Sequence, residues 1–144
     1  DKLHFFTAFL RNLPNDIHFA VEFRHNSWYT QRTRELLQTY RIGWVASEFS
    51  NLPLHSMPTA DFNYLRWLGK HAAFRRYDHE QLDVGSRLSW WENEIHTNVN
   101  QDQTVYGFFN NEYSGFAPAT CNRFKVLLGL PTVSFQQPVQ KRLF

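Results

Sequence analysis

The sequence predicts an α/β fold built on a parallel sheet of four strands, with residues 1–144 forming a single domain. Two observations carry this. Short apolar runs alternate with segments patterned at helical spacing, in the order helix, strand, helix, strand, strand, helix, strand, helix. The composition, with 42% hydrophobic and 19% charged residues over 144 positions, fits a folded chain long enough to build a core.

Leu3, Phe6, Phe9, Leu10 and Leu13 recur at helical spacing, so the first helix is expected over residues 2–13, ended by Pro14. Asn15 and Asp16 form a turn. Residues 18–24 read as the first strand. Ser27 or Thr30 caps the next helix, whose buried face carries Leu36, Leu37 and Tyr40. Residues 42–48 read as the second strand, and a loop rich in Pro, Ser and Asn follows over 49–61 in place of a long crossover helix. The third strand is expected over 63–68, bounded by Gly69. Asp78 with Gln81 three residues later resembles a helix N-cap. The following helix runs from about Ser86 to Asn98 on a stripe of Leu88, Trp91 and Ile95. Residues 104–109 give the fourth strand. Pro118 suits the first turn of a last helix lined by Phe124, Leu127 and Leu128, which Gly129 and Pro131 stop. The tail to Phe144 is weakly patterned.

The net charge of +2, with no run of like charges, makes no electrostatic case for nucleic acid. Cys121 is the only cysteine, so no internal disulfide forms and a reducing, cytoplasmic setting is expected. No apolar stretch approaches the roughly 18 residues of a membrane span. The chain opens Asp1-Lys2-Leu3-His4 without a signal-peptide pattern or an initiator Met, and the expectation is a fragment or a processed chain. Aromatic residues reach 17%, including 14 Phe, a surplus that suits rings awaiting a missing partner surface.

The stretch Phe19-Ala20-Val21-Glu22-Phe23-Arg24-His25-Asn26-Ser27-Trp28 organises the candidate chemistry. Glu22 and Arg24 lie two apart and share a strand face. Ligands in parallel α/β folds gather at the carboxyl ends of strands. Those ends supply Glu22, Arg24, His25 and Trp28 from the first strand and Glu48 from the second. They supply Arg66, Gly69 and Lys70 from the third, and Asn110, Asn111 and Glu112 from the fourth. Arg24 and Arg66 stand out because each follows apolar residues inside its strand. Two guanidiniums with amides nearby suit a phosphate or a carboxylate. The expected ligand-binding set is therefore Arg24, Trp28, Arg66, Gly69, Asn110 and Asn111, with Glu22 and His25 as candidates for acid–base work.

Each of these residues also has a purely structural reading. Glu22 with an arginine is a buried ion pair, the two asparagines form a turn, and Trp28 and Trp67 fill the core. No paired histidines, phosphate-binding glycine loop or Gly-x-Ser-x-Gly elbow occurs in the sequence. No metal site and no cofactor is expected from this chain, and Glu22, Glu48 and Glu112 offer only a weak carboxylate set for a hard cation.

Three segments together resemble the YecE-like family, the domain of unknown function numbered 72. They are Val21-Glu22-Phe23-Arg24-His25-Asn26-Ser27-Trp28, Tyr64-Leu65-Arg66-Trp67-Leu68-Gly69, and Val105-Tyr106-Gly107-Phe108-Phe109-Asn110-Asn111 running on to Gly115-x-Ala117. Their order and spacing are similar to the family's C-terminal half. The resemblance implies a TIM-type β/α barrel, of which this chain is roughly the C-terminal half, with the ligand mouth at the strand ends. It implies no assigned activity; members resemble sugar isomerases and endonuclease IV in fold. Leu68 and Glu112 depart from the pattern, standing where the family often has histidines.

Three functional readings follow. The first is a pocket for a small anionic or phosphorylated ligand. The second is a nuclease-like or nucleic-acid-binding barrel, whose divalent metal would need ligands from the absent N-terminal half. The third is a non-catalytic binding or scaffold module. Half a barrel leaves strand edges and an apolar face open, so self-association of the isolated segment is expected.

Overall fold

A computed structural model describes residues 2–49, 52–54, 58–100 and 102–135. Helix α1 (Lys2–Leu10) leads to β1 (Ala20–Val21), then α2 (Gln31–Thr39), β2 (Gly43–Trp44) and β3 (Ala46–Glu48). Strand β4 (Phe62–Trp67), α3 (Gly85–Asn98), β5 (Thr104–Phe109) and α4 (Ala117–Leu127) complete the order. Short 3-10 turns at Asn26–Trp28 and Asn111–Tyr113 follow β1 and β5.

Every strand pairing among the described residues is parallel. Ala20 pairs with Gly43, Ala46 with Leu65, and Phe62 with Thr104. The ladders form a two-stranded sheet, β1-β2, and a three-stranded sheet, β3-β4-β5, where one continuous sheet was expected. The break falls inside the predicted second strand. The Val45 amide still donates to the Val21 carbonyl at 2.9 Å, but from Ala46 onward the run pairs with β4 instead. One extended segment thus serves two neighbours in turn. The predicted first strand, 18–24, contracts to Ala20–Val21 because its partner leaves it at that switch.

Local chemistry explains the helix ends. Of the two candidate caps for α2, Thr30 is the one used: its hydroxyl accepts from the Thr33 amide at 3.2 Å. Helix α1 stops at Leu10, three residues early, as the amides of Asn12 and Leu13 turn to the nearer carbonyls of Phe9 and Leu10. No helix starts at Asp78. Its carboxylate is taken by Arg76 and His79 instead, and the Gly85 amide that opens α3 donates to Asp83 at 2.9 Å. Pro118 sits in the first turn of α4, and Gly129, at φ 67°, follows its end. Leu127 does not line that helix's buried side and is 41% exposed. No helix lies between β3 and β4 among the described residues, as expected for the 49–61 loop; residues 50–51, 55–57 and the tail from 136 lie outside them.

Alternation along β4 and β5 divides the sheet into two faces. Leu65 and Trp67 face the helices, where Leu88, Trp91 and Phe124 close a core around them. Trp67 stacks on Phe109 with ring centroids 4.0 Å apart and meets Trp91 and Phe124 edge-on. A second cluster joins Leu10 of α1 and Leu37 of α2 to Phe23 and Trp44. Phe62, Tyr64, Arg66, Tyr106 and Phe108 alternate with the helix-facing residues and belong to neither cluster. Tyr106 and Phe108 stand 44% and 49% exposed there.

Trp67 is 1% exposed and touches three elements, so truncation leaves a cavity that its neighbours cannot fill. Trp67→Ala is expected to lower unfolding free energy by about 3–5 kcal/mol, read from the denaturant midpoint, whereas Trp67→Phe should retain most of it.

Candidate functional site

The open face carries its charge at one end. Glu22 follows β1, and its side chain reaches two other strands. Ser47 of β3 donates to Oε1 at 2.8 Å, and Arg66 of β4 donates to Oε2 at 2.5 Å. Arg24 approaches Oε1 at 3.3 Å. Glu22, Ser47 and Arg66 converge because Ser47 and Arg66 are register partners and period-two alternation points all three to the same side near the strand ends. Glu22 is largely buried, with its side chain 14% exposed, while Arg66 and Arg24 are 36% and 50% exposed. A carboxylate so enclosed demands compensation, and two guanidiniums give it more than one charge's worth. The cluster carries a net charge of one positive, with the exposed parts of both guanidiniums still facing outward. Arg24 also lies over the Phe49 ring, 5.1 Å from its centroid.

A cavity of about 490 Å³ runs down this face from the cluster. Glu22 and Arg66 close one end, and Phe62, Tyr64 and Tyr106 form a wall. Phe62 stacks on His18, and Tyr64 on Phe108 at 4.9 Å. The site is thus a cationic end on an aromatic floor.

The other predicted residues fall elsewhere. His25 accepts the Ser27 amide on Nδ1 at 3.1 Å and caps the first 3-10 turn. Trp28 stacks on Phe23 at 4.8 Å and meets Phe6 edge-on, with Lys2 Nζ 4.7 Å from its ring, so it fastens α1 to the sheet and does not line the cavity. Gly69 has φ 70°, and a Cβ there would stand 1.9 Å from the Glu112 carbonyl oxygen; close backbone packing explains this glycine. Asn110 Oδ1 accepts the Glu112 amide at 3.2 Å and Asn111 Oδ1 accepts the Ala117 amide at 2.9 Å. Both asparagines shape the turn after β5, and neither bonds to the arginine pair.

Glu48 is adjacent to Ser47 and so points to the opposite face. Trp91 Nε1 and Tyr113 Oη donate to its Oε2 at 2.5 and 2.9 Å, and Arg87 Nε lies 3.4 Å from Oε1. Burial, reinforced by the Glu48 charge, pushes the Tyr113 phenol far above its ordinary value. Glu112 accepts from the Ala72 amide at 2.9 Å and lies 3.3 Å from His71 Nδ1; the Ala72 bond, chiefly, holds its carboxyl below the usual range. The three glutamates therefore have separate partners and form no carboxylate pair. No group of three metal-ligating side chains occurs among the described residues, and no described helix is long and apolar enough to cross a membrane. Sequence reasoning missed Ser47, whose signal was its place between Ala46 and Glu48, one residue from a strand end and in phase with the face that carries Glu22.

The family model described as "Protein of unknown function DUF72" matches residues 1–142. Among solved structures, a DUF72 family protein of Thermotoga maritima MSB8 is similar at a TM-score of 0.70 and 25% identity, over 88% of this chain and 51% of that one. A DUF72 family protein of Enterococcus faecalis V583 is similar at a TM-score of 0.67 and 18% identity, over 90% and 54%. The chain thus spans about half the length of the solved structures it matches. A comparison with functionally curated proteins finds no match.

The Tyr113–Glu48 bond gives a pH signature. A phenol whose folded pKa lies above its unfolded one stabilises the fold fully below the ordinary tyrosine value and loses that contribution as pH rises beyond it. Unfolding free energy should fall above pH ~10, with Tyr113 accounting for about 1.4 kcal/mol per pH unit of the slope. Tyr113→Phe should remove that share in urea titrations between neutral and alkaline pH.

Proposed function

The chain belongs to the DUF72 family of proteins of unknown function, and from that premise we propose that its inner face holds a small anionic or phosphorylated ligand. The observation that carries this reading is the Arg66–Glu22 pair at the end of an aromatic cavity, with a second guanidinium, Arg24, on the same carboxylate. Glu22 compensates one positive charge and orients both arginines, so the surplus charge is preorganised for an incoming anion. Phe62, Tyr64 and Tyr106 offer ring surface for the ligand's body. The role is binding; Glu22 has too many donors to serve as a free base.

We read the architecture as the C-terminal half of a TIM-type β/α barrel. Exclusively parallel pairing, helical clusters on one sheet face, and a match to about half of each solved relative support it. In that arrangement the open face is the barrel interior and the cluster lies at its mouth. The same open face, with its half-exposed rings, supports self-association of this segment when expressed by itself; sedimentation should give a species larger than a monomer, and a compact monomer would count against the half-barrel. The lone Cys121 supports a cytoplasmic setting.

Calorimetric titration of the chain with inorganic phosphate tests the ligand reading. Saturable binding is expected, weakened about tenfold or more by Arg66→Ala or Arg24→Ala, with Arg24→Lys restoring only part because an ammonium lacks the forked donors. Absence of phosphate binding, with both variants changing stability alone, would leave a structural ion pair.

A further inference from the structure

A second cavity, of about 480 Å³, lies on the helical side of the strand ends, between the ends of β3 and β4 and the start of α3. Its size falls within the roughly 300–1,000 Å³ typical of small-molecule sites. Nothing in the anion reading uses it, and the division of faces at Ser47 and Glu48 separates it from the Glu22 cluster. Its walls come from this chain's own loops and helix, so it does not depend on what covers the inner face.

Four charged side chains line it: Glu48, Lys70, Arg87 and Glu112. Their formal charges cancel, which disfavours a ligand of large net charge. Glu48 is committed to Trp91, Tyr113 and Arg87. The others keep free capacity. Lys70 has no carboxylate partner among the described residues. Arg87, half exposed, has one ion pair among the described residues, through Nε at 3.4 Å, and its terminal nitrogens have no carboxylate among them. Glu112 takes Ala72, Tyr77 and His71 all on Oε1, and its Oε2 has no partner among the described residues. Between them lies apolar surface from Phe49, Leu52 and Val84, with Leu82 51% exposed on the rim. Unpaired donors, an unpaired acceptor and an apolar wall in one neutral cleft match a molecule with an anionic group, a cationic group and an apolar body.

We infer that this cleft binds a small apolar amino acid as its zwitterion, with the α-carboxylate on Lys70 and Arg87, the ammonium on Glu112, and the side chain against Leu82 and Val84. Charged hydrogen bonds are worth roughly 1.5–3 kcal/mol each, so removing either charge from the ligand costs about tenfold or more in affinity.

Amide NMR of the chain titrated with L-leucine and L-phenylalanine tests this. Saturable shifts are expected at Lys70, Ala73, Leu82 and Arg87, with phenylpropionate and phenethylamine each about tenfold weaker than phenylalanine. Lys70→Met should weaken phenylalanine and phenylpropionate but not phenethylamine, and Glu112→Gln should do the reverse. Lys70 is exposed, so its variant folds; Leu82→Glu, also at an exposed position, should block all three probes. No saturable shift with either amino acid, equal binding of phenethylamine and phenylalanine, or unchanged phenylalanine binding in Lys70→Met would each overturn the assignment.

Discussion

The Glu22 carboxylate joins what the backbone leaves separate. The ladders divide at Val45, with β1-β2 on one side and β3-β4-β5 on the other. Glu22 comes from the first sheet, and its oxygens accept from Ser47 and Arg66 of the second. Its side chain therefore crosses the break that the main chain makes. A buried ion pair of this kind adds little net stability over an apolar replacement, but losing one partner leaves a charge uncompensated at a cost of about 3–5 kcal/mol when fully buried. The half-exposed arginines reduce that figure here, since water screens them. What the cluster supplies is registration: β1 and β4 must stand where one carboxylate can reach Ser47 and Arg66 together.

The neighbouring position on β3 does the corresponding work on the other face. Glu48 ties its strand to Trp91 of α3 and to Tyr113 in the turn after β5. Two consecutive residues thus bond on opposite faces, Ser47 donating to Glu22 on one and Glu48 accepting from Trp91 and Tyr113 on the other. The period of two that defines a strand converts adjacency in sequence into separation in space. The two polar clusters at the strand ends are consequently different sites with different partners, although they lie one residue apart.

Much of this was legible in the sequence. The alternation of helices with short apolar strands is a local signal, and it located β4, β5, α2, α3 and α4 to within a few residues. Convergence of Glu22, Arg24 and Arg66 was legible because strand phase and strand ends are both written locally. The split at Val45 was not, because it depends on which neighbour each residue of 43–48 meets, a non-local fact. Ser47 was passed over since a small hydroxyl inside an apolar run carries no pattern of its own. For Asn110 and Asn111 the sequence leaves both a ligand-binding and a turn-forming reading open, since an exposed polar pair after a strand has the same signature in both roles, and their side-chain oxygens accept bonds that close the turn. The Asp78 cap failed for a related reason, as a nearby arginine and histidine outcompeted the backbone amides.

Phe49 is where the two faces communicate. Its ring lies under the Arg24 guanidinium and also forms part of the outer cleft's wall. Arg24 is the most exposed and most loosely held member of the inner cluster, 3.3 Å from Glu22 against 2.5 Å for Arg66. An exposed cation–π contact contributes only about 0.5–1 kcal/mol, comparable to a long, half-exposed ion pair. Movement of Phe49 would therefore remove a substantial part of what positions Arg24 while leaving Arg66 bound. Arg66, held by a short bond from a paired strand, remains the fixed reference of the inner face.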